Sequence, residues 1–251
     1  MPEFSLEILL LLAAIAMLAG FIDAIAGGGG LLTIPALMLV GINPVQAIAT
    51  NKLQACFGSF TATRFFVKQG LVKPKENWLS IIVVGIGAAA GAILIQWFDT
   101  DLLLTIMPYA LIVIAFYLLF ARNYGKSSGE PKISKAAFNS TAIPAVGVYD
   151  GFFGPGTGTF FTLGYCQLRG MNMLDATAHA KLMNFTTNIV SLLVFILSGQ
   201  ILWVVGLSMA AGQAIGARLG AATALKHGVG FIRLMTVAIC VAISVSLLVR
   251  G

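Results

Sequence analysis

The sequence FIDAIAGGGG, residues 21–30, interrupts a long apolar stretch, and a similar sequence, VYDGFFGPGTG, occurs at residues 148–158. In each, an apolar segment reaches an aspartate, Asp23 or Asp150, and then breaks at closely spaced glycines. A short apolar segment of about ten residues follows each break. As a helix it would rise about 15 Å, half of the ~30 Å hydrocarbon core of a bilayer. We therefore predict a broken helix or re-entrant hairpin in each half of the chain.

The composition around these stretches is that of a membrane protein. Hydrophobic residues make up 59% of the 251 residues and charged residues 10%, whereas an ordinary soluble domain is about a quarter charged. Uncharged stretches at Leu79–Phe98, Leu102–Phe120 and Leu182–Ile201 are each long enough to cross a bilayer as a helix. This excludes a soluble enzyme, a disordered tail and a disulfide-stapled secreted domain. It predicts an all-α polytopic membrane protein, because helices satisfy their own backbone groups in lipid.

The two glycine-rich stretches belong to an internal repeat. Asp23 and Asp150 lie 127 positions apart, as do Gly27 and Gly154. After a two-residue insertion the spacing becomes 129 and matches further pairs: Gly41 with Gly170, Asn43 with Asn172, Lys52 with Lys181, Gly70 with Gly199, Gly87 with Gly216, and Gly91 with Gly220. Rare residues in this shared order indicate a duplication of the whole half.

The register divides the chain into a first membrane repeat at residues 1–121, a linker at 122–135 and a second membrane repeat at 136–251. Each repeat is predicted to contain the glycine-rich broken helix and three transmembrane helices. Halves of this kind are typical of secondary transporters built from inverted repeats, in which substrate binds where discontinuous helices meet near the bilayer midplane.

Basic residues indicate that the two repeats face opposite sides of the membrane. The loop after the first lysine-bearing helix holds four of them, Arg64, Lys68, Lys73 and Lys75, whereas the matching loop at Gly199 and Gln200 has none. The next pair of loops reverses this bias: residues 99–101 have no basic residue and residues 226–233 have two. Because Lys and Arg accumulate in cytoplasmic loops, we predict a cytoplasmic linker and periplasmic termini.

Deep polar residues mark the candidate site. Lys52 and Lys181 each lie eight residues into a long helix, about 12 Å along its axis, and a charge at that depth is by default functional. Glycine-rich breaks present helix N-termini and backbone N–H groups, which favour anions. The predicted substrate-binding residues are Lys52, Lys181, Asn51, Asn184, Gly28, Gly29, Gly30, Gly156, Thr157 and Gly158.

Alternatives stay open at each of these positions. The lysines could form ion pairs with Asp23 or Asp150, or extend to the interface, and the two aspartates could instead carry coupled protons. The glycines could serve only tight turns or close helix crossings, the role we assign to the GxxxG spacings at residues 87–91 and 216–220. We expect Lys→Met at either lysine to leave folding intact and to reduce transport sharply.

Catalytic and metal-binding motifs are missing. The three cysteines, Cys56, Cys166 and Cys240, lie singly in apolar surroundings, and the only histidines are His179 and His227, so we predict no cofactor and no metal site. The net charge of +6 comes from scattered basic residues and does not indicate nucleic-acid binding. An intramembrane enzyme using Asp23 and Asp150 as a pair, and an anion channel, are the alternatives to a transporter.

Both halves resemble the TauE/SafE-type sulfite exporters, also called the TSUP (4-toluene sulfonate uptake permease) family. The resemblance rests on the stretches Gly20–Gly30 and Thr50–Leu53 in the first half, and Asp150–Gly158 and Lys181–Phe185 in the second. It implies an inner-membrane permease, not an enzyme, that moves a small sulfur-containing anion such as sulfite, thiosulfate or an organosulfonate. We further expect alternating access with proton coupling, and the small size would suit a homodimer.

Overall fold

A computed structural model describes residues 4–120 and 129–227 of the chain, and these residues are almost entirely helical. The predicted all-α class is confirmed. In chain order the α-helices of the described part are α1 (Leu6–Ala26), α2 (Gly30–Leu39), α3 (Pro44–Lys68), α4 (Trp78–Leu94), α5 (Thr100–Phe120), α6 (Lys135–Ser140), α7 (Ala142–Phe152), α8 (Thr157–Arg169), α9 (Met173–Leu197) and α10 (Trp203–His227). Short 3-10 turns at Pro74–Asn77 and Ile95–Trp97 flank α4.

Within residues 4–120 and 129–227, four helical segments are long and apolar enough to cross a membrane, namely Leu6–Ala26, Pro74–Trp97, Thr100–Tyr117 and Met173–Leu197. Helices α3 and α10 have 25 residues each, a length of about 37 Å, but they carry more polar side chains. These spans make the chain a multi-pass membrane protein. The predicted final span, Val229–Val249, and Cys240 lie outside the described residues.

The two predicted breaks are present as interruptions between α1 and α2 and between α7 and α8. Gly27 ends α1 with φ +74°, and Gly156 begins α8 with φ +82°. L-residues with a side chain rarely adopt positive φ, so glycine is needed at both turns. The predicted segment Ala136–Phe153 is itself divided at Thr141 into α6 and α7, which shortens the helix that leads into the second break.

The long helix that follows each break starts at an equivalent cap. The Asn43 side chain accepts a hydrogen bond from the Gln46 N–H at 2.9 Å, and the Asn172 side chain accepts one from the Asp175 N–H at 3.0 Å. An N-cap asparagine satisfies one of the free N–H groups of a first turn. The caps therefore set where α3 and α9 begin, and with that the depth of Lys52 and Lys181.

Helices of one half pack against helices of the other half: α1 packs against α10, and α4 packs against α7. Gly212, Gly216 and Gly220 of α10 lie against the backbone of α1 at Ala13, Met17 and Phe21, so the two helices run parallel. In the same way, α7 runs parallel to α4, with Gly147 against Val84 and Gly151 against Ala88. Added Cβ atoms at these glycines would lie 1.8–2.7 Å from backbone oxygens of the partner helix. The small residues thus allow the close backbone approach typical of membrane helices.

Helices α3 and α9 cross each other in opposite directions at the centre of the described structure. The Asn188 amide donates to Ser59 Oγ at 3.4 Å, and the Thr63 hydroxyl donates to the Lys181 carbonyl at 2.9 Å. Ser59 and Asn188 are themselves repeat-equivalent positions, 129 apart. The crossing brings the lysine-bearing helices of both halves together, each beside the glycine break of the other half.

Candidate functional site

The two glycine breaks contact each other. The Gly27 backbone lies against Gly158 and Thr159, and the Thr159 hydroxyl donates to the Ala26 carbonyl at 2.6 Å. A small cavity, with a volume of about 20 Å³, lies beside this contact. Its lining is polar and comprises Asp23, Gly28, Gly29, Gly30, Asn51, Gln54, Ala55, Asp150, Gly154, Gly156, Thr157, Gly158, Asn184, Asn188 and Gln213.

One side of the cavity is built around Asp23 at the end of α1. Its Oδ1 accepts hydrogen bonds from the Gly28 N–H at 3.1 Å and the Gly29 N–H at 3.2 Å, and its Oδ2 accepts one from Lys181 Nζ at 2.8 Å. The Lys181 side chain is 1% exposed and that of Asp23 is 13% exposed. The glycine N–H groups and the lysine thus hold a carboxylate that belongs to the protein itself.

The other side is built around Asp150 at the end of α7. Its Oδ1 accepts from Lys52 Nζ at 2.8 Å and from the Thr157 hydroxyl at 2.9 Å. Both side chains of this ion pair are at most 3% exposed. Asp150 Oδ2 is buried and has no hydrogen-bond partner among the described residues.

Both ion pairs join one half of the chain to the other. Lys52 of the first half binds Asp150 of the second, and Lys181 of the second half binds Asp23 of the first. Within the described residues the cavity lining includes both aspartates but neither lysine. The ion-pair alternative is thus the arrangement in this structure, and each lysine lies behind its carboxylate as seen from the cavity.

The asparagines turn their amide N–H₂ groups toward the cavity. Asn51 Oδ1 accepts from the Thr33 hydroxyl and from Gln54 Nε2, both at 2.6 Å. Asn184 Oδ1 accepts from Asn188 Nδ2 at 2.6 Å. In the described part of the chain neither Asn51 Nδ2 nor Asn184 Nδ2 donates a hydrogen bond to a protein group, so both donors are free for a guest.

Two glutamines that the sequence analysis did not select also face this cavity. Gln54 Oε1 and Gln213 Oε1 are buried and, like Asp150 Oδ2, have no partner among the described residues. Gln213 lies on α10, where its side chain reaches Gly58 of α3. An amide inside an apolar helix is the sequence signal that could have identified both. The cavity therefore offers free acceptors as well as free donors.

The described histidine and cysteines singled out in the sequence, His179, Cys56 and Cys166, do not line the cavity. His179 faces away from the cavity: its Nδ1 is 2.8 Å from the Asp175 carbonyl oxygen, and its ring packs against Tyr165. Cys56 and Cys166 have free thiols. Among the described residues, no cluster of three His, Cys, Asp or Glu side chains could hold a metal ion.

Comparison with known proteins points to one group. The family model described as "Sulfite exporter TauE/SafE" matches residues 12–247. "Probable membrane transporter protein YfcA" of Escherichia coli K12 is 46% identical over 93% of this chain and 87% of that protein. "Probable membrane transporter protein" of Haemophilus influenzae is 42% identical over 94% and 92%, and "Probable membrane transporter protein ORF9" of Sinorhizobium sp is 41% identical over 99% and 95%. No solved structure matches this chain at a significant level.

Proposed function

The chain belongs to the TauE/SafE sulfite exporter family of membrane transporters, and from this premise we propose that it carries a small sulfur-containing anion across the inner membrane together with a proton. Sulfite, thiosulfate and small organosulfonates are the candidate substrates. The observation that carries the proposal is the cavity at the meeting of the two breaks, where both buried ion pairs and the free Asn51 and Asn184 amides converge.

The anion-binding step is supported by what the glycine break already holds. The Asp23 carboxylate accepts from two backbone N–H groups and from Lys181, which are donors that suit any oxyanion. A sulfite or sulfonate group presents similar oxygens and would take over these donors when Asp23 turns away. The free amide of Asn184, on the same helix as Lys181, adds a neutral donor to the incoming anion.

The proton-binding step is assigned to Asp150 and not to Asp23. All donors to Asp150 act on Oδ1, and an ionised oxygen buried without a partner is costly. A proton on Oδ2 removes the negative charge from the carboxyl group and leaves both bonds at Oδ1 in place. The Lys52–Asp150 pair then carries one net positive charge, which an anion in the cavity neutralises. Proton and anion would therefore enter and leave together.

Alternating access between two inverted halves would expose this cavity to each side in turn. The antiparallel crossing of α3 and α9 and the exchange of partners between α1, α10, α4 and α7 support this arrangement. The proposed topology keeps the linker cytoplasmic and both termini periplasmic. Impermeant thiol labelling of intact cells should reach a cysteine at Thr100 or Gly199 and miss one at Ser127, and labelling of Ser127 from outside would contradict it.

Uptake of ³⁵S-labelled sulfite into proteoliposomes, with and without a pH gradient at a clamped membrane potential, tests the transport proposal. We expect the pH gradient to drive accumulation in the parent. Asp150→Asn should retain sulfite exchange but lose accumulation, whereas the control Asp175→Asn, in the first turn of α9, should behave like the parent. Gradient-driven accumulation by Asp150→Asn would overturn the proton assignment. Absence of saturable movement of sulfite, thiosulfate and organosulfonates by folded parent protein would overturn the function.

A further inference from the structure

A second cavity, of about 290 Å³, lies between the C-terminal part of α3 and helix α10 and shares no lining residue with the first. It is lined by Phe60, Thr61, Arg64, Phe65, Lys68 and Arg218. The Arg218 guanidinium lies 4.7 Å from the centre of the Phe65 ring, a cation–π contact that fixes it in the cavity wall. Three cations from two helices therefore surround one pocket.

None of these cations has a counter-ion in the described structure. The salt bridges there are Lys52–Asp150, Lys73–Glu76 and Lys181–Asp23, and no described carboxylate lies within 4 Å of Arg64, Lys68 or Arg218. Arg64 and Lys68 are one helical turn apart, where like charges repel. The pocket therefore has an excess of positive charge that an anion from outside the chain would neutralise.

The surroundings of the pocket favour an amphiphile over a free ion. Arg64 lies about 30 Å along α3 from Pro44, which is the thickness of the hydrocarbon core. Below it on the same face of α3 are the exposed rings of Phe57 (45%) and Phe60 (49%), and Ile215 (56%), one turn before Arg218 on α10, is exposed too. A charged head among the cations and an apolar tail along these side chains would fit this surface.

The cations of this pocket have no counterparts at the repeat-equivalent positions of α9 and α4. The positions that correspond to Arg64, Lys68 and Arg218 at the repeat spacing of 129 are Leu193, Leu197 and Ala89, all apolar. The repeated fold therefore does not require the cations, and they mark one side of the membrane only. We infer that this pocket binds the phosphate headgroup of an anionic phospholipid, in the leaflet that the proposed topology makes cytoplasmic. The inference does not depend on which substrate is transported.

Native mass spectrometry and thermal unfolding of the purified full chain test this site, with phosphatidylglycerol as the probe and phosphatidylcholine as the neutral reference. The test variant is Arg64→Gln with Lys68→Gln. The control is Lys73→Gln with Lys75→Gln, which removes the same charge from exposed positions on the same side. A third variant, Arg218→Gln, tests whether the cation that α10 contributes to the pocket takes part in lipid binding. Equal melting temperatures in phosphatidylcholine show that the variants are folded.

We expect phosphatidylglycerol to bind and stabilise the parent and the control alike. Binding should weaken by about fivefold for each cation removed, and so by about 25-fold in the double variant. Inorganic phosphate and sulfite at the same concentration should not compete. Equal phosphatidylglycerol binding by the parent and the double variant would overturn the site. If free phosphate or sulfite stabilised the parent as much as phosphatidylglycerol does, the pocket would be a site for a soluble oxyanion, and the proposal that it binds a phospholipid would be overturned.

Discussion

The two half-sites have the same plan and different chemistry. Asp23 is partly exposed and shares its bonds between both carboxylate oxygens, whereas Asp150 is buried and receives every bond on one oxygen. At the repeat spacing of 127, Gly28 corresponds to Pro155. Proline has no N–H, so the second half lacks one of the two backbone donors that hold Asp23. In the described structure Asp150 keeps one oxygen without a partner, whereas both oxygens of Asp23 accept hydrogen bonds.

The comparison shows how the two copies of a duplicated site can come to differ in the hydrogen bonding of their aspartates. In the first half, two glycine N–H groups and a lysine bind the Asp23 carboxylate. In the second half, the same positions leave a carboxyl oxygen without a partner among the described residues. We propose that a transporter uses this difference to bind its anion on one side of the cavity and its proton on the other.

The largest expected effect comes from breaking each ion pair in turn. Lys52→Met leaves Asp150 buried and unpaired, so it should cost about 3–5 kcal/mol of stability. Lys181→Met should cost less, about 1.5–3 kcal/mol, because Asp23 keeps two backbone donors. Thermal unfolding in detergent measures both. The double variant Lys52→Met with Asp150→Leu should regain most of the loss, and equal costs for the two single variants would remove the proposed difference between the half-sites.

The second test compares alanine at the two breaks. Gly27→Ala combines strain at φ +74° with a Cβ placed 2.3 Å from the Thr159 backbone nitrogen, which cannot move aside. The control is Gly41→Ala. Gly41 has φ +87°, but an added Cβ would have no atom within 4 Å, so this variant has the backbone strain without the steric clash. Gly27→Ala should therefore be less stable than the control by about 1–3 kcal/mol. At Gly154 an added Cβ would lie 3.3 Å from Asp150 Oδ1 and Lys52 Nζ and 3.4 Å from the Asp150 carbonyl oxygen. These contacts are milder than at Gly27, so the stability loss of Gly154→Ala should lie between the losses of Gly27→Ala and Gly41→Ala.

The third test converts one half-site toward the other. Pro155→Gly restores an N–H at the position that corresponds to Gly28, and it should give Asp150 Oδ2 the partner that it lacks. We expect at most about 1 kcal/mol loss of stability, from the greater freedom of the unfolded chain. Proton-driven accumulation of sulfite should weaken while exchange persists. Unchanged dependence on the pH gradient would show that the missing N–H does not set the coupling.

The smallest effect should come from a feature that the halves share. Asn43→Ala and Asn172→Ala each remove an N-cap, and each should cost about 1 kcal/mol. Matched losses in thermal unfolding would sharpen the contrast with the unequal ion pairs. A clearly larger loss at Asn172 would trace to its second bond, from Nδ2 to Asp175 Oδ2 at 2.8 Å.

Much of the fold could be predicted from the sequence because its signals are local. Apolar length identified the membrane helices, and the glycine register located both breaks. Which lysine pairs with which aspartate could not be predicted, because the pairing depends on contacts between α3 and the second break and between α9 and the first. The ion pairs also change what we expect of Lys→Met: removing either lysine leaves a carboxylate without its ion-pair partner, so we expect a loss of stability as well as of transport. Gln54 and Gln213 were missed because they have no repeat-equivalent polar residue.

The exchange of partners also has a consequence for synthesis. Helix α1 packs against α10, which is synthesised roughly 180 residues later. At typical elongation rates of about 5–20 residues per second, this delay is on the order of 10–40 s. During that interval Asp23 enters the bilayer before Lys181 exists, and Lys52 enters before Asp150. The nascent first half therefore holds two uncompensated charges in lipid, each costing about 2.5–3.5 kcal/mol. Ribosome-stalled chains that end before α7, and so lack both Asp150 and Lys181, should accordingly be the forms most readily removed by membrane proteases.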